Sequence, residues 1–258
     1  MAFPWRLTAD LTRTKIARRF GLGRGLPLLA RISAERAVEL ASAGAMEENR
    51  GELGGNSEIG KGDLLRRSRF LWVGGEEPLD HADVANAANA LAAGKEHVFL
   101  ETAGELLKPR IHEFKPGAGF YFVVRMDGPA SLTTVGCHED SCRVALEAMR
   151  MARLAGFYTF AHLVYRREFA LRALESLHKQ ICKIGTDDVF ITTAPAAGTD
   201  SKEFVRLRRR MLDHQARWFS RQIEESSRPS RQQDSLATPR IPARESRQED
   251  FEQGAEAQ

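Results

Sequence analysis

Cysteine is scarce in this chain: three residues in 258, Cys137, Cys142 and Cys182. An odd, sparse count excludes a disulfide scaffold and points to a reducing compartment. No apolar run reaches the roughly 18 residues that a membrane-spanning helix needs. The opening Met1-Ala2-Phe3-Pro4-Trp5-Arg6 has no apolar signal-peptide core, so a cytoplasmic location is expected. A large excess of one charge is also missing. The formal net charge is +3, too small to mark nucleic acid as a partner.

What is present is an alternation of strands and helices. Strand candidates rich in β-branched and aromatic residues are Pro27–Ser33, Phe70–Gly74, His97–Thr102, Phe120–Met126, Phe157–Tyr165 and Val189–Thr193. Helical spacing joins Val84, Ala87, Ala88 and Leu91, then Cys142, Leu146 and Met149, then Leu171, Leu174, Leu177, Ile181 and Ile184. Gly94, Gly156 and Gly185 follow these runs where a left-handed C-terminal cap belongs. A short basic helix is expected over 8–20, ended by Gly21, a loop or helix over 34–46 and a glycine-rich loop over 47–63. A last amphipathic helix is expected near 201–224, capped by Asp200 with Glu203 and apolar at Phe204, Leu207, Met211 and Trp218.

Short strand–helix links favour parallel strands with right-handed crossovers. Six such units fit an α/β fold: a partial (β/α)6 barrel or a doubly wound sheet, with function at the strands' C-terminal ends. The expected organisation is a basic N-terminal helix segment over 1–26, the barrel over 27–200 and a C-terminal helix over 201–225. Residues 226–258 are polar, dotted with proline and poor in large apolar side chains, so a disordered tail is expected.

Several phrases together resemble the radical-SAM superfamily. The second strand ends in Gly74-Gly75-Glu76-Glu77-Pro78-Leu79, the third in Thr102-Ala103-Gly104 and the fourth in Met126-Asp127-Gly128. These are similar to that family's GGEP, TNG and LDG. The stretches LTADLTRTKIARRFGLGR and RIHEFKPGAGFYF resemble the hopanoid-biosynthesis, adenosylhopane-synthase-like branch. The resemblance implies a partial parallel barrel, S-adenosylmethionine as cofactor and a 4Fe-4S cluster held by three cysteines in the loop after the first strand. It also implies that Gly74, Gly75, Glu76, Glu77, Thr102 and Asp127 line the cofactor site, a Glu of the motif binding the amino group of S-adenosylmethionine. At the cluster positions this chain has Val38, Ser42 and Ala45, and none offers a thiolate. Without three thiolates there is no anchored cluster to deliver an electron to the sulfonium. The remaining cysteines match no familiar iron–sulfur spacing.

Other residues carry paired readings. Gly55-x4-Gly60-Lys61 approaches a phosphate-binding loop, but Gly62 stands where Ser or Thr would reach magnesium. Glu101, Thr102, Arg125 and Asp127 fall at or near strand ends, as a polar ligand site or as an internal salt bridge. His162, inside an apolar strand, reads as a satisfied core histidine before a metal ligand. His138, with Cys137, Glu139 and Asp140, reads as a metal cluster or an acidic helix start.

Two basic stretches have apolar neighbours. The first has Arg6, Arg13, Lys15, Arg18, Arg19 and Arg24 beside Trp5, Leu7, Leu11, Ile16 and Phe20. The second has Arg206, Arg208, Arg209, Arg210 and Arg217 beside Trp218 and Phe219. Each reads as a solvated face, a partner surface or a contact with anionic lipid at the inner face of the membrane. The sequence thus supports a cluster-free pseudoenzyme partnered by a radical-SAM paralogue or another protein. Its alternatives are an active radical-SAM enzyme with other cluster ligands and a non-redox enzyme binding S-adenosylmethionine or a nucleotide.

Overall fold

The computed structural model describes residues 4–20, 29–47, 68–94, 97–127, 138–166, 170–194 and 201–227. The stretch read as a phosphate loop, together with Gly21, Gly128, Cys137, Asp200 and the tail, lies outside these residues. The chain divides into one compact unit to Arg228 and a remainder from Pro229.

Six parallel strands lie in chain order: β1 (Leu29–Ile32), β2 (Phe70–Val73), β3 (His97–Thr102), β4 (Phe120–Asp127), β5 (Tyr158–Tyr165) and β6 (Asp188–Thr193). The sheet curls into a half-barrel, the partial (β/α)6 arrangement expected. Helices α1 (Trp5–Arg19), α2 (Ala34–Glu47), α3 (Val84–Gly94), α4 (His138–Leu154), α5 (Leu171–Ile184), α6 (Lys202–Met211) and α7 (His214–Ser226) surround it.

Period two divides the strand residues between two cores. Leu71, Val73, Val98, Leu100, Phe120 and Phe122 pack under α2 and α3 on one face. On the other, the register Trp72↔Phe99 and Phe99↔Tyr121 aligns one rank of rings. These rings pack with Leu7 and Leu11 of α1 and with Phe219 and Ile223 of α7. Phe219 reaches Phe99 and Phe190 at ring-centroid distances of 5.2 and 5.1 Å. The interior is therefore filled by aromatic side chains.

A chain of hydrogen bonds seats α1. Asp10 Oδ2 is 3.0 Å from His97 Nε2, and His97 Nδ1 is 2.8 Å from the Tyr121 hydroxyl. The Tyr121 hydroxyl donates to the carbonyl of Ala118 at 2.8 Å. Along β6, the amide of Ile191 donates to Ser220 Oγ at 3.2 Å and that of Thr193 to Glu224 Oε1 at 3.1 Å.

Two open readings narrow and two expectations need correction. The segment after β1, read as a loop or a helix, is the helix α2. It starts at Ala34 because Ser33 Oγ accepts from the amide of Arg36 at 3.3 Å, and its residues are good helix formers. The helix expected over 201–224 is two helices, because Asp213 starts a new one. Its carboxylate accepts from the amides of Gln215 and Ala216 at 2.8 Å. The cap of the first is Ser201, not Asp200, with Oγ accepting from the amide of Phe204 at 3.1 Å. Finally, of the residues in the two basic stretches, Leu7, Leu11 and Phe219 are buried in the core and Arg208 is 8 % exposed, so these four are not part of an open helix face. Gly185 does cap α5 as expected, with φ of 79°, a left-handed conformation that glycine adopts without a Cβ penalty.

Candidate functional site at the C-terminal rim of the half-barrel

β1, β2, β3, β5 and β6 deliver side chains from their C-terminal halves to one wall. Glu101 is its centre, at 2 % exposure. Its Oε2 accepts from Arg31 Nη2 at 2.9 Å and from the Trp72 indole N–H at 3.0 Å. Its Oε1 lies 2.6 Å from His162 Nδ1, and His162 Nε2 is 2.7 Å from the Thr192 hydroxyl. Arg31 also donates through Nη1 to Ser227 Oγ at 2.6 Å, tying β1 to the end of α7. Burial pushes the Glu101 carboxyl up, but the His162 hydrogen bond and charge, with Arg31 and Trp72, outweigh it. Its pKa falls from 4.5 to about 2, and it is a carboxylate at neutral pH.

The reading of His162 as a satisfied core histidine matches this arrangement, and Glu101 does sit in an internal ion pair, but its cation is Arg31 and not Arg125 of the group read with it. Sequence reasoning missed Arg31, Trp72 and Thr192. Arg31 is a cation inside a short apolar strand, a usable signal; the other two are ordinary strand residues.

Of the expected cofactor-binding residues, Gly74, Gly75 and Glu77 follow β2 and Thr102 ends β3, with some of their polar groups committed. A Cβ on Gly74 would come within 2.7 Å of Glu101 Oε2 and 3.0 Å of Trp72 Nε1, so glycine there lets the wall close. Glu77 Oε1 accepts from the amide of Leu79 at 3.1 Å, and Oε2 from the amide of Ala103 at 2.7 Å. Glu77 therefore latches the loop after β2 to the end of β3. The Thr102 hydroxyl accepts from the amide of Gly104 at 3.0 Å. Arg125 Nη1 donates to the carbonyl of Gly75 at 3.2 Å. Gly75 and Glu76 are exposed, and Asp127 ends β4.

The positions matched to cluster cysteines do not fit an iron–sulfur group. Val38, Ser42 and Ala45 all lie within α2. Ser42 Oγ donates to the carbonyl of Val38 at 2.9 Å, a local helix contact. Cys142 sits on α4 and Cys182 on α5. Among the described residues no three His, Cys, Asp or Glu side chains converge as a metal-binding group.

A second buried carboxylate lies at the other end of the barrel. Asp188 Oδ1 accepts from the amide of Val189 at 2.7 Å, whereas Oδ2 is buried without a partner. Burial, then the charges of Asp213 and Asp187, raise its pKa from 3.8 to about 7. The folded chain thus keeps a proton that the unfolded chain releases. Stability from this group is complete below pH 3.8 and drains as pH rises through 7. Asp188→Asn should flatten that decline in urea titrations run across the window. A wild-type slope retained in the variant would refute the assignment.

No described helix is long and apolar enough to cross a membrane. No family model matches the chain, and no curated protein matches it. Among solved structures, SuiB of Streptococcus suis bound to S-adenosylmethionine aligns with TM-score 0.43 and 15% identity over 54% of this chain and 34% of SuiB. TYW1 with a lysine-pyruvate adduct aligns with TM-score 0.43 and 10% identity over 68% of this chain and 58% of that one. Archaeal TYW1 gives TM-score 0.34 and 12% identity over 57% and 56%. The chain therefore spans only part of the length of each of these proteins.

Proposed function

We propose that this chain is a cluster-free relative of radical-SAM enzymes and serves as a binding or accessory protein linked to hopanoid or related lipid metabolism. The observation that carries this reading is the state of the three cluster positions. Val38, Ser42 and Ala45 have no thiolate and ride on a regular helix that begins one residue beyond Ser33. The described residues of the strand-end phrases that carry the resemblance fall at the C-terminal ends of parallel strands, which supports descent from such a scaffold. The wall beneath that rim is internally satisfied, Glu101 being held by Arg31, Trp72 and His162. A wall of this kind holds a shape, each of its polar groups being engaged by a neighbour within it.

S-adenosylmethionine is the proposed small-molecule ligand. The exposed Glu76 carboxylate would pair with its ammonium group, and the Gly75 carbonyl, fixed by Arg125, borders the same space. A radical-SAM paralogue is the proposed partner.

Anaerobic reconstitution with iron and sulfide is the deciding experiment. The expected product is colourless, EPR-silent and free of bound cluster, and yields no 5′-deoxyadenosine from S-adenosylmethionine under reducing conditions. A brown protein with one 4Fe-4S cluster per chain would overturn the reading. Thermal unfolding with S-adenosylmethionine tests the ligand separately. At 100 times its dissociation constant it should add about 2.7 kcal/mol, and no shift would remove the ligand from the proposal.

A further inference from the structure

A concavity lies away from the rim, on the outer flank of the two C-terminal helices. It has a volume of about 660 Å³ and lies between α1, α6 and α7. Helical spacing builds it. Arg217, Trp218, Arg221, Glu224 and Glu225 form one stripe of α7, while Ala216, Phe219, Ser220 and Ile223 of the same helix face the barrel. Val205, Arg208 and Arg209 share a stripe of α6, and Lys15 comes from α1.

We propose that this cleft binds a phosphoryl group, either on a soluble phosphate ester or pyrophosphate or on a lipid headgroup. Five permanent cations line it against two carboxylates, and those carboxylates are already engaged. Glu224 accepts from Arg208 Nη1 at 3.0 Å and from the Thr193 amide, and Glu225 accepts from Gln222 at 2.8 Å. Arg217 donates to the backbone carbonyl of Arg209 at 2.9 Å.

Arg208 lines the cleft with a guanidinium only partly satisfied, its Nη1 pairing with Glu224. It is 8 % exposed, yet its Nε and Nη2 groups are buried without an acceptor. Donors left so are costly, and a guanidinium fork matches the oxygens of a phosphoryl group. Lys15 Nζ is placed over the Trp218 ring, 5.9 Å from its centre. That ring and the half-exposed Val205 provide an apolar flank for whatever carries the phosphate.

The test uses the full chain with two probes. Inorganic pyrophosphate is titrated by calorimetry, and phosphatidylcholine vesicles doped with phosphatidic acid are tested by co-sedimentation. The variants are Arg208→Gln, the exposed pair Arg209→Gln with Arg221→Gln, and a charge control, Lys108→Gln with Lys183→Gln. Saturable pyrophosphate binding, weakened about tenfold or more by the exposed pair and unchanged in the control, supports a soluble ligand. Vesicle binding weakened by the same pair and displaced by pyrophosphate supports a headgroup. The proposal is overturned if neither probe binds, if the control weakens binding as much as the pair, or if pyrophosphate cannot displace the vesicles. Because the exposed pair lies outside the core, a folding defect in Arg208→Gln leaves the test intact.

Discussion

Glu101→Leu is expected to cost the fold about 3–5 kcal/mol, the range for removing one partner of a buried ion pair. The loss comes from three donors stranded at once. Arg31 Nη2 and the Trp72 indole lose one oxygen, and His162 loses the other. Glu101→Gln should cost less, because one carbonyl oxygen remains for part of that set. The acid limb of stability should change in both variants. Below pH 4.5 the unfolded wild-type chain takes up a proton that the folded carboxylate refuses until about pH 2. Stability from this group is therefore complete above 4.5 and is lost as pH falls through 2. Urea unfolding at a series of acidic pH values should show this limb in the wild type and not in Glu101→Leu. A leucine variant as stable as the wild type, with the limb intact, would show that the wall contributes nothing.

Phe219→Ala should cost about 3–5 kcal/mol as well, by a different route. The ring is fully buried and lies within 6.2 Å, centroid to centroid, of Phe70, Phe99 and Phe190. Those three rings stand on strands that cannot collapse inward, since the ladder fixes their spacing. An apolar cavity should therefore persist. The expected readout is a lower urea midpoint with an unchanged slope, partly restored by a small apolar guest such as benzene. A loss below about 1 kcal/mol would show that α7 is only loosely seated.

The strands were legible because each is a short run of β-branched and aromatic residues between polar breaks, and parallel strands buried on both faces read this way. The helix beginning at Asp213 was hidden. Apolar spacing from Phe204 through Leu207 and Met211 to Trp218 continues across the break, although an N-capping aspartate there was a readable stop-and-start sign. The nature of the first and last helices was half-legible. Basic residues beside apolar ones left a solvated face, a partner surface and a lipid contact open, and of the apolar ones Leu7, Leu11 and Phe219 serve the barrel. Local composition cannot tell a face turned to lipid from one turned to a sheet.

At the rim, Glu101 and His162 stood out as polar residues in apolar strands. Their pairing with each other and with Arg31 depends on contacts 61 and 70 residues apart in sequence. No local pattern encodes such separations; strand register and sheet curl create them. Glu77 illustrates the reverse problem. The motif suggested a ligand contact, whereas the folded backbone supplies two amides to the same carboxylate.

The contact between α7 and β6 has a consequence for how copies of this protein behave in a crowded solution. An outermost strand usually presents a free ladder on which a neighbouring chain can add itself, and such recruitment leads to aggregation. Here Ser220 and Glu224 occupy the amides of Ile191 and Thr193, so a stray strand finds no donors at those two positions. The helix that fills the barrel thereby also acts as a guard against self-association along β6.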